Sequence, residues 1–561
     1  MTSQSAGGGF SYRPALDGLR AVAVLAVFWY HLDWSWAPGG FLGVDAFFVL
    51  SGYLITSLLV VEHDSKGRID LVAFWARRAR RLLPALLLLL VVVSVWATIG
   101  VAPDRLDSLR ADGLFTILYS ANWHLIASGQ SYFGLFVAPS PLRHTWSLAI
   151  EEQFYLGWPL IVAIAMYGGR RRRWAIAAVS AVGVVASVAV MGLLYDAADP
   201  SRAYYGTDSR AHSLLVGVLL ALALDRWKPS GSGASVVQGL GILGAGGMAW
   251  AIASTDERGS GFYHGGSLLY AIAVAAVIAA STADGRSILR SALSVAPLRW
   301  VGTISYGVYL WHWPAQVVMT PARVGVDGVA LDAVKIAATF GASVASYYLM
   351  EKPIRHGGMP NRRTLLLAPV AMVAVGAAVV GGTRGGVPLA KVFDVGAPIT
   401  APASPVVTAP GDAPVVAVIG DSVAGTVIWG LEEVGPRNGL TILSAAFPGC
   451  GVANGVAVDD DGRPFEWSEA CDENIGPAQA QMIEEQDPDL VVWLSTWDLA
   501  DRLVDGRVIR ANTPEGDEVL LASMDVAHDR LTARGAHIAL LTVPRTPGAT
   551  PQRPTTTPTA T

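Results

Sequence analysis

Charge is what this chain has least of. Only 15% of its 561 residues are Asp, Glu, Lys or Arg, against about 25% in soluble domains, which argues against an ordinary water-soluble protein. Cysteine is nearly absent. Cys450 and Cys471 are the only two, both in the C-terminal part, so that part alone carries information about redox compartment. No metal-ligand set is expected. The first ten residues have neither a basic n-region nor a small-residue cleavage site, so no removable signal peptide is expected. There is no internal repeat. The formal net charge of −5 says little, because its sign differs by segment, and no nucleic-acid partner is expected.

Apolar residues fill the gap at 52%. Stretches long enough to span a bilayer recur through the first two thirds: about 17–33, 41–61, 82–101, 145–167, 174–194, 211–225, 236–253, 264–281, 302–319, 331–350 and 364–382. The expected fold is therefore a polytopic α-helical membrane protein of about eleven spans. The segment 102–143 contains Asn122, His124, Gln130 and several Gly and Pro residues, and reads as an outer-face loop with a short helix. Basic clusters at Arg77, Arg78, Arg80 and Arg81, at 170–173, at Arg226 and Lys228, at Arg286, Arg290 and Arg299, and at Lys352 to Arg363 all fall inside if the N-terminus is cytoplasmic. Everything after Gly382 is then extracytoplasmic, and the protein sits in the cell membrane as a multi-pass chain.

Several spans carry charge. Arg20 and His31 lie eleven residues apart in one apolar run, about three turns and roughly 16 Å along one helical face. An ionisable residue inside a span costs roughly 2.5 kcal/mol or more and is a functional candidate by default. Asp45 sits in the next run, Glu151 and Glu152 in the fourth, Arg210 at the mouth of the sixth beside Asp208, and His312 in the ninth between Trp311 and Trp313. Glu151 and Glu152 lie about 10 Å below the outer end of their span. That depth resembles His31's, so one of them, Glu152 preferred, is expected to orient its imidazole. Arg210 is a candidate for binding an acceptor; His312 reads mainly as a packing hydrogen bond.

From Pro414 the pattern changes. Strands at 415–419, 440–444, 490–494 and 538–543 alternate with helices at 424–434, 476–486 and 518–534, the pattern of a parallel α/β sheet. The Thr/Pro/Ala-rich residues 546–561 should be disordered.

Six motifs in order carry a resemblance. They are Arg20 with His31; Gly43-Val44-Asp45 with Phe47-Phe48 and Ser51-Gly52; Arg77-Arg78-Ala79-Arg80-Arg81 with Pro84; His144-Thr145-Trp146-Ser147 through Glu151-Glu152-Gln153-Phe154-Tyr155; Ser305-Tyr306-Gly307 through Trp311-His312-Trp313-Pro314; and Glu351-Lys352-Pro353. Together, over about residues 10–360, they resemble the membrane-bound acyltransferase-3 family, whose members O-acylate cell-surface glycans. The resemblance implies a membrane acyltransferase domain at 10–360, an additional span at 361–385 and a linker at 386–413. It also implies an acyl-CoA donor, acetyl-CoA foremost, with no permanently bound cofactor. Arg77, Arg78, Arg80 and Arg81 suit its phosphates, with Arg78-Ala79-Arg80 matching the family's Arg-x-Arg element. His31 is the expected general base, since an imidazole with an ordinary pKa near 6.5 can take a hydroxyl proton at neutral pH; it can alternatively carry the acyl group. Arg20 completes the catalytic set with Glu151 and Glu152.

The strand running into Gly420-Asp421-Ser422-Val423 resembles the first block of SGNH-type esterases, implying an exported SGNH-like domain at 414–545 with Ser422 in the nucleophile position and Asp421 before it. That family's late Asp-x-x-His is not in its usual place: Asp525-Val526-Ala527-His528 lies in a helix ahead of a strand, and Ser495-Thr496-Trp497-Asp498 stands where an Asn block is usual. The domain therefore reads as truncated and without a working triad. As the only cysteines, in an exported domain, Cys450 and Cys471 are expected to form a disulfide.

The expected function is transfer of an acyl group, acetyl foremost, from cytoplasmic acyl-CoA to a hydroxyl of a cell-envelope glycan or glycolipid, with the lipid bilayer as the other partner. The alternative is a transporter or flippase whose buried charges line a path. An anchored esterase would not need eleven spans.

Overall fold

Eleven long helices occupy the places expected of the eleven spans in the computed structural model, which describes residues 12–100, 105–128, 140–167, 173–197, 199–283, 287–384, 413–435, 438–447, 450–459, 462–465, 468–511 and 513–541. Among these described residues, nine helices are long and apolar enough to cross a membrane by composition. The two long helices outside that nine are α1 (Pro14–His31) and α13 (Ala296–Val318). They are the helices that carry Arg20, His31 and His312, and they pack against one another.

Local sequence explains the ends. Pro14 opens α1 at a position where its missing N–H is no loss. The next helix, α2 (Gly43–Lys66), stops at Gly67, whose φ of 70° closes the helix in the left-handed region. α3 (Leu71–Gly100) begins eleven residues earlier than the expected span. The basic cluster therefore lies on a helix and not in a loop, which decides where each arginine points. The segment 102–143 contains α4 (Leu106–Ile117) and α5 (Ala121–Ala127), at 12 and 7 residues too short to span. Next come α6 (Thr145–Met166), α7 (Arg173–Leu193), α8 (Ser201–Tyr205), α9 (Thr207–Arg226), α10 (Gly231–Ser254), α11 (Ser267–Thr282) and α12 (Ile288–Leu293). After α13 follow α14 (Pro321–Val324), α15 (Gly328–Ser346), α16 (Lys352–His356) and α17 (Asn361–Gly382).

Close helix packing brings the polar residues together. α2 and α9 touch backbone to backbone: a Cβ on Gly52 would collide with the Leu214 carbonyl, and one on Gly217 with the Val49 carbonyl. Small residues at such crossings are how membrane helices associate without a hydrophobic drive between them.

The chain divides into two units, the second made of the described residues from Ala413 onward. Most of the expected linker (386–412) and all of the tail (546–561) lie outside the described residues. The second unit holds a parallel sheet in the order β2 (Thr441–Ala446), β1 (Val415–Gly420), β4 (Leu490–Leu494), β7 (His537–Leu540). Its helices are α18 (Ser422–Val434), α19 (Ser468–Gln486) and α20 (Pro514–Leu531). Thr513 caps α20, its hydroxyl accepting from the Gly516 N–H at 3.0 Å. A small antiparallel sheet of β3 (Val456–Ala457), β5 (Arg502–Val504) and β6 (Arg507–Ile509) was not anticipated; strands of two or three residues leave no periodic signal.

Cys450 and Cys471 are joined, with Cα atoms 5.4 Å apart and a sequence separation of 21. On the chain-entropy model a loop of that size stabilises the fold by about 3 kcal/mol. The double variant Cys450→Ala/Cys471→Ala should lower the thermal midpoint of the second unit's unfolding while leaving the membrane helices' circular dichroism unchanged. An unaltered midpoint would remove the bridge from the stability of that unit.

Candidate active site

Two polar layers lie along α1. At the level of Arg20 a cavity of about 710 Å³, its mouth included, is bounded by Arg20, Arg78, Arg81, Ser51, Glu151 and Tyr155, with Phe47, Phe48, Leu54, Ile55 and Leu82 supplying apolar wall. Glu151 is held by hydrogen bonds from the hydroxyls of Ser51 and Tyr155. The Arg78 guanidinium stacks 5.1 Å from the Tyr155 ring and 5.6 Å from Phe74. Glu151 carries charge opposite to Arg20 and Arg78 and interacts with both.

The basic cluster does not act as one patch. On a helix, residues three apart share a face, so Arg78 and Arg81 turn into the cavity while Arg77 and Arg80 turn away. Arg77 lies 3.5 Å from Glu62. Arg80 donates to Thr364 Oγ1 at 2.8 Å, Asn361 Oδ1 at 3.0 Å and the Met359 carbonyl at 3.2 Å. The expected Arg78/Arg80 pairing is thus replaced by Arg78 with Arg81. Similarly, Glu151 bounds the cavity and Glu152 does not. The carboxylate expected beside His31 sits instead in the Arg20 layer. Six residues along α6 from Thr145 carry Glu151 about 9 Å inward.

The second layer is built on histidines. His31 Nδ1 lies 2.9 Å from the Val27 carbonyl and 3.1 Å from His312 Nε2; His312 Nδ1 lies 2.6 Å from the Tyr309 carbonyl. His312 is buried, as is His144, whose ring is 5.6 Å from that of His312. The Trp313 ring lies 4.8 Å from His31, and the Arg143 guanidinium 4.9 Å over Trp313. Tyr309 joins the layers. Its side chain and Ser147 bound the cavity, its hydroxyl is 2.5 Å from Ser147 Oγ and donates to the His144 carbonyl at 3.0 Å, and its ring is 5.3 Å from His312.

A family model described as an acyltransferase domain matches residues 13–379, and one described as an SGNH domain fused to such acyltransferase domains matches 395–556. The chain belongs to the acyltransferase-3 family. Among curated proteins it is 42% identical over 356 residues to a putative peptidoglycan O-acetyltransferase of Bacillus subtilis, covering 62% of this chain and 55% of that protein. It is 39% identical over 355 residues to a peptidoglycan O-acetyltransferase of Listeria monocytogenes (62% and 57%), and 38% identical over 355 to an O-acetyltransferase of Staphylococcus aureus (62% and 58%). The match thus spans a little over half the length of those relatives. No solved structure matches the chain.

Within this acyltransferase-3 chain, Asp45 and Arg210 stand apart from both layers. Arg210 donates to Asp45 Oδ2 at 2.9 Å, Ser213 donates to Oδ1 at 3.0 Å, and both charged side chains are fully buried. The guanidinium is also packed against the rings of Tyr204 (4.9 Å), Phe262 (5.3 Å) and Trp146 (5.8 Å). Arg210 is therefore enclosed and not at an open mouth, where the sequence placed it as a candidate for binding acceptor; its neighbour Asp208 pairs with Arg202 at 2.8 Å. The pair locks α2 to α9. Sequence reasoning assigned no role to Ser51, Tyr155, Ser147, Tyr309 and His144. All five lie within the quoted motifs, but nothing in a single sequence says that those segments converge.

In the second unit, Asp421 is a structural clamp. Its Oδ1 accepts from the Val423 N–H at 2.7 Å, capping α18, and its Oδ2 accepts from the Thr496 N–H (2.5 Å), the Thr496 hydroxyl (2.6 Å), the Trp497 N–H (3.0 Å) and Ser495 (3.2 Å). Asp498, in the Asn-block position, accepts from Trp493 Nε1 at 2.7 Å and the Ala453 N–H at 3.0 Å; burial raises its carboxyl pKa, opposed by those two donors and by Arg502. Ser422 opens α18 at the C-terminal edge of β1. The unit's two histidines are elsewhere. His537 pairs with Leu490, which is opposite Val416, about 13 Å down the sheet from Gly420. His528 is exposed near the end of α20, 3.6 Å from Asp529.

Two outcomes are expected. Asp45→Ala strands a buried guanidinium and should cost about 3–5 kcal/mol, read as a large drop in the detergent-solubilised protein's melting temperature; a shift of under two degrees would mean the pair is not a lock. With His537 about 13 Å down the sheet from Gly420 and His528 exposed near the end of α20, the 561-residue chain should label slowly with a fluorophosphonate probe. Fast labelling lost in Ser422→Ala would show that another base serves the serine.

Proposed function

We propose that this chain is a membrane O-acetyltransferase that moves an acetyl group from cytoplasmic acetyl-CoA to a hydroxyl of a cell-envelope glycan of the peptidoglycan kind. The observation that carries it is the two-layer arrangement: a cavity with Arg78 and Arg81 at one level of α1, and His31 about 16 Å further along the same helix, with Tyr309 and Ser147 between. With a cytoplasmic N-terminus, the arginine layer faces the donor compartment and the histidine layer the acceptor compartment. The relatives' peptidoglycan O-acetyltransferase names support the acceptor class.

Arg78 and Arg81 present planar forks suited to phosphate oxygens, and the apolar wall of Phe47, Phe48, Leu54 and Ile55 suits the uncharged arm that follows. The thioester carbonyl then comes to the Ser147–Tyr309 boundary. His31 accepts the proton of the acceptor hydroxyl, whose oxygen attacks that carbonyl. Collapse of the tetrahedral intermediate breaks the C–S bond, and the proton on His31 passes to the departing thiolate. Base catalysis of this kind is worth typically 10²–10⁴-fold. Glu151 keeps Arg20 and Arg78 paired in the cavity wall.

The test is consumption of acetyl-CoA by the purified full chain in lipid nanodiscs with soluble peptidoglycan fragments, which also separates transfer from translocation. Acetylated fragment should appear, and His31→Ala should abolish it. Arg78→Ala should weaken acetyl-CoA binding at least tenfold, since a charged hydrogen-bonded contact is worth roughly 1.5–3 kcal/mol, whereas Arg80→Ala should bind normally. Acetyl-CoA left intact, or transfer undiminished in His31→Ala, would overturn the proposal.

A further inference from the structure

The contacts between His31 and His312 assign their protons. A backbone carbonyl can only accept. His31 Nδ1 faces the Val27 carbonyl at 2.9 Å and His312 Nδ1 faces the Tyr309 carbonyl at 2.6 Å, so each neutral ring carries its hydrogen on Nδ1. His312 Nε2 is then a bare acceptor, and it lies 3.1 Å from the Nδ1–H of His31. His31 Nδ1–H is shared between that nitrogen and the Val27 carbonyl, which leaves His31 Nε2 as the nitrogen with the lone pair.

We propose that His312 is the positioning residue of His31: a neutral imidazole that fixes its ring and tautomer and accepts its Nδ1–H when the acceptor hydroxyl's proton arrives at Nε2. The inference rests on the acyl-transfer reading for the hydroxyl proton and the kinetic readout, and not for the tautomers or the pairing. A base oriented by a third group is the general logic of activated nucleophiles. The orienting group in such arrangements is commonly a carboxylate; inside a membrane a carboxylate would stand as a permanent buried charge. An imidazole supplies the same acceptor without one, and the charge on the pair exists only while the proton is held. The other titratable groups that face His31 are Arg143 and His144. Neither replaces His312: the His144 ring lies against His312 and Tyr309, and Arg143 stacks on Trp313.

The pairing also ties the two layers. Tyr309 and His312 are three apart on one face of α13; the Tyr309 side chain bounds the donor cavity while its carbonyl anchors His312. The helix that walls the thioester end therefore sets the proton acceptor's partner.

The experiment uses the full chain in nanodiscs with nitrogen-15-labelled histidine and the variants His312→Phe, which keeps ring volume without an acceptor, and His312→Gln, which offers a carboxamide oxygen near the Nε2 position. The wild-type spectrum should show His31 and His312 both protonated at Nδ1, with a scalar coupling across the N–H···N contact. His312 protonated at Nε2 overturns the proposal. Kinetically, His312→Phe should lower kcat about 100-fold with KM for acetyl-CoA within about twofold. His312→Gln should recover most of that loss. Near-normal kcat in His312→Phe, or equal loss in both variants at wild-type melting temperature, overturns it as well. Should His312→Phe fail to fold, the tautomer and the His312→Gln kinetics decide. If the wild-type chain transfers nothing, the acyl-transfer reading falls while the spectrum still judges the pairing.

Discussion

A charge inside the bilayer has to find its partner within the protein, because water is not there to supply one. The membrane unit is arranged around that requirement. Arg210 is enclosed by Asp45, Ser213 and three aromatic rings; Arg78 by Tyr155, Phe74 and the carboxylate of Glu151. Each enclosure draws residues from different helices, so satisfying the charge also fixes the helix packing. The Asp45–Arg210 contact holds α2 and α9 at a distance that Gly52 and Gly217 make possible. With α2 so placed, Phe47, Phe48 and Ser51, all within two turns of Asp45, line the cavity.

The same requirement explains why α1 and α13 fall outside the nine helices apolar enough to cross a membrane by composition. They carry Arg20, His31 and His312, and the two histidines meet where these helices pack against each other. A helix can be this polar in a membrane only if its polar face is turned to neighbours, and the apolar helices around it supply the lipid-facing surface.

Much of this was legible in the sequence, and the reasons for the rest are specific. Long apolar runs placed the helices, and the alternation after Pro414 placed β1, β2, β4 and β7, because both are local patterns. Two cysteines in one unit left a single possible pairing. The arginine cluster was read as one group because its residues lie together between two apolar runs. Once α3 is known to start at Leu71, the 100° step per residue separates Arg78 and Arg81 from Arg77 and Arg80. Contacts between distant segments gave no signal at all. Asp45 and Arg210 are 165 residues apart, His31 and His312 281, and a single sequence says nothing about which polar residue of one span meets which of another. Arg210 was misjudged for that reason: it sits near a helix end, where exposure is the default, and only the packing of Tyr204, Phe262 and Trp146 buries it.

The separation of the two layers has a chemical consequence. In the proposed acetyl-CoA reaction, a cavity open through the membrane would let water reach the thioester and leak protons along the buried charges. Tyr309 and Ser147 stand between the arginine layer and the histidines, joined at 2.5 Å and tied to the His144 carbonyl. This hydrogen-bonded hydroxyl pair bounds the cavity on the side of the histidines. In the proposed reaction the base and the donor cavity lie on opposite sides of this hydroxyl pair, and a thioester carbonyl would displace the Ser147–Tyr309 contact to meet the acceptor. Placing the barrier in side chains of α6 and α13 also means that the helices need not move to admit it, which suits a bundle whose packing is pinned by buried ion pairs.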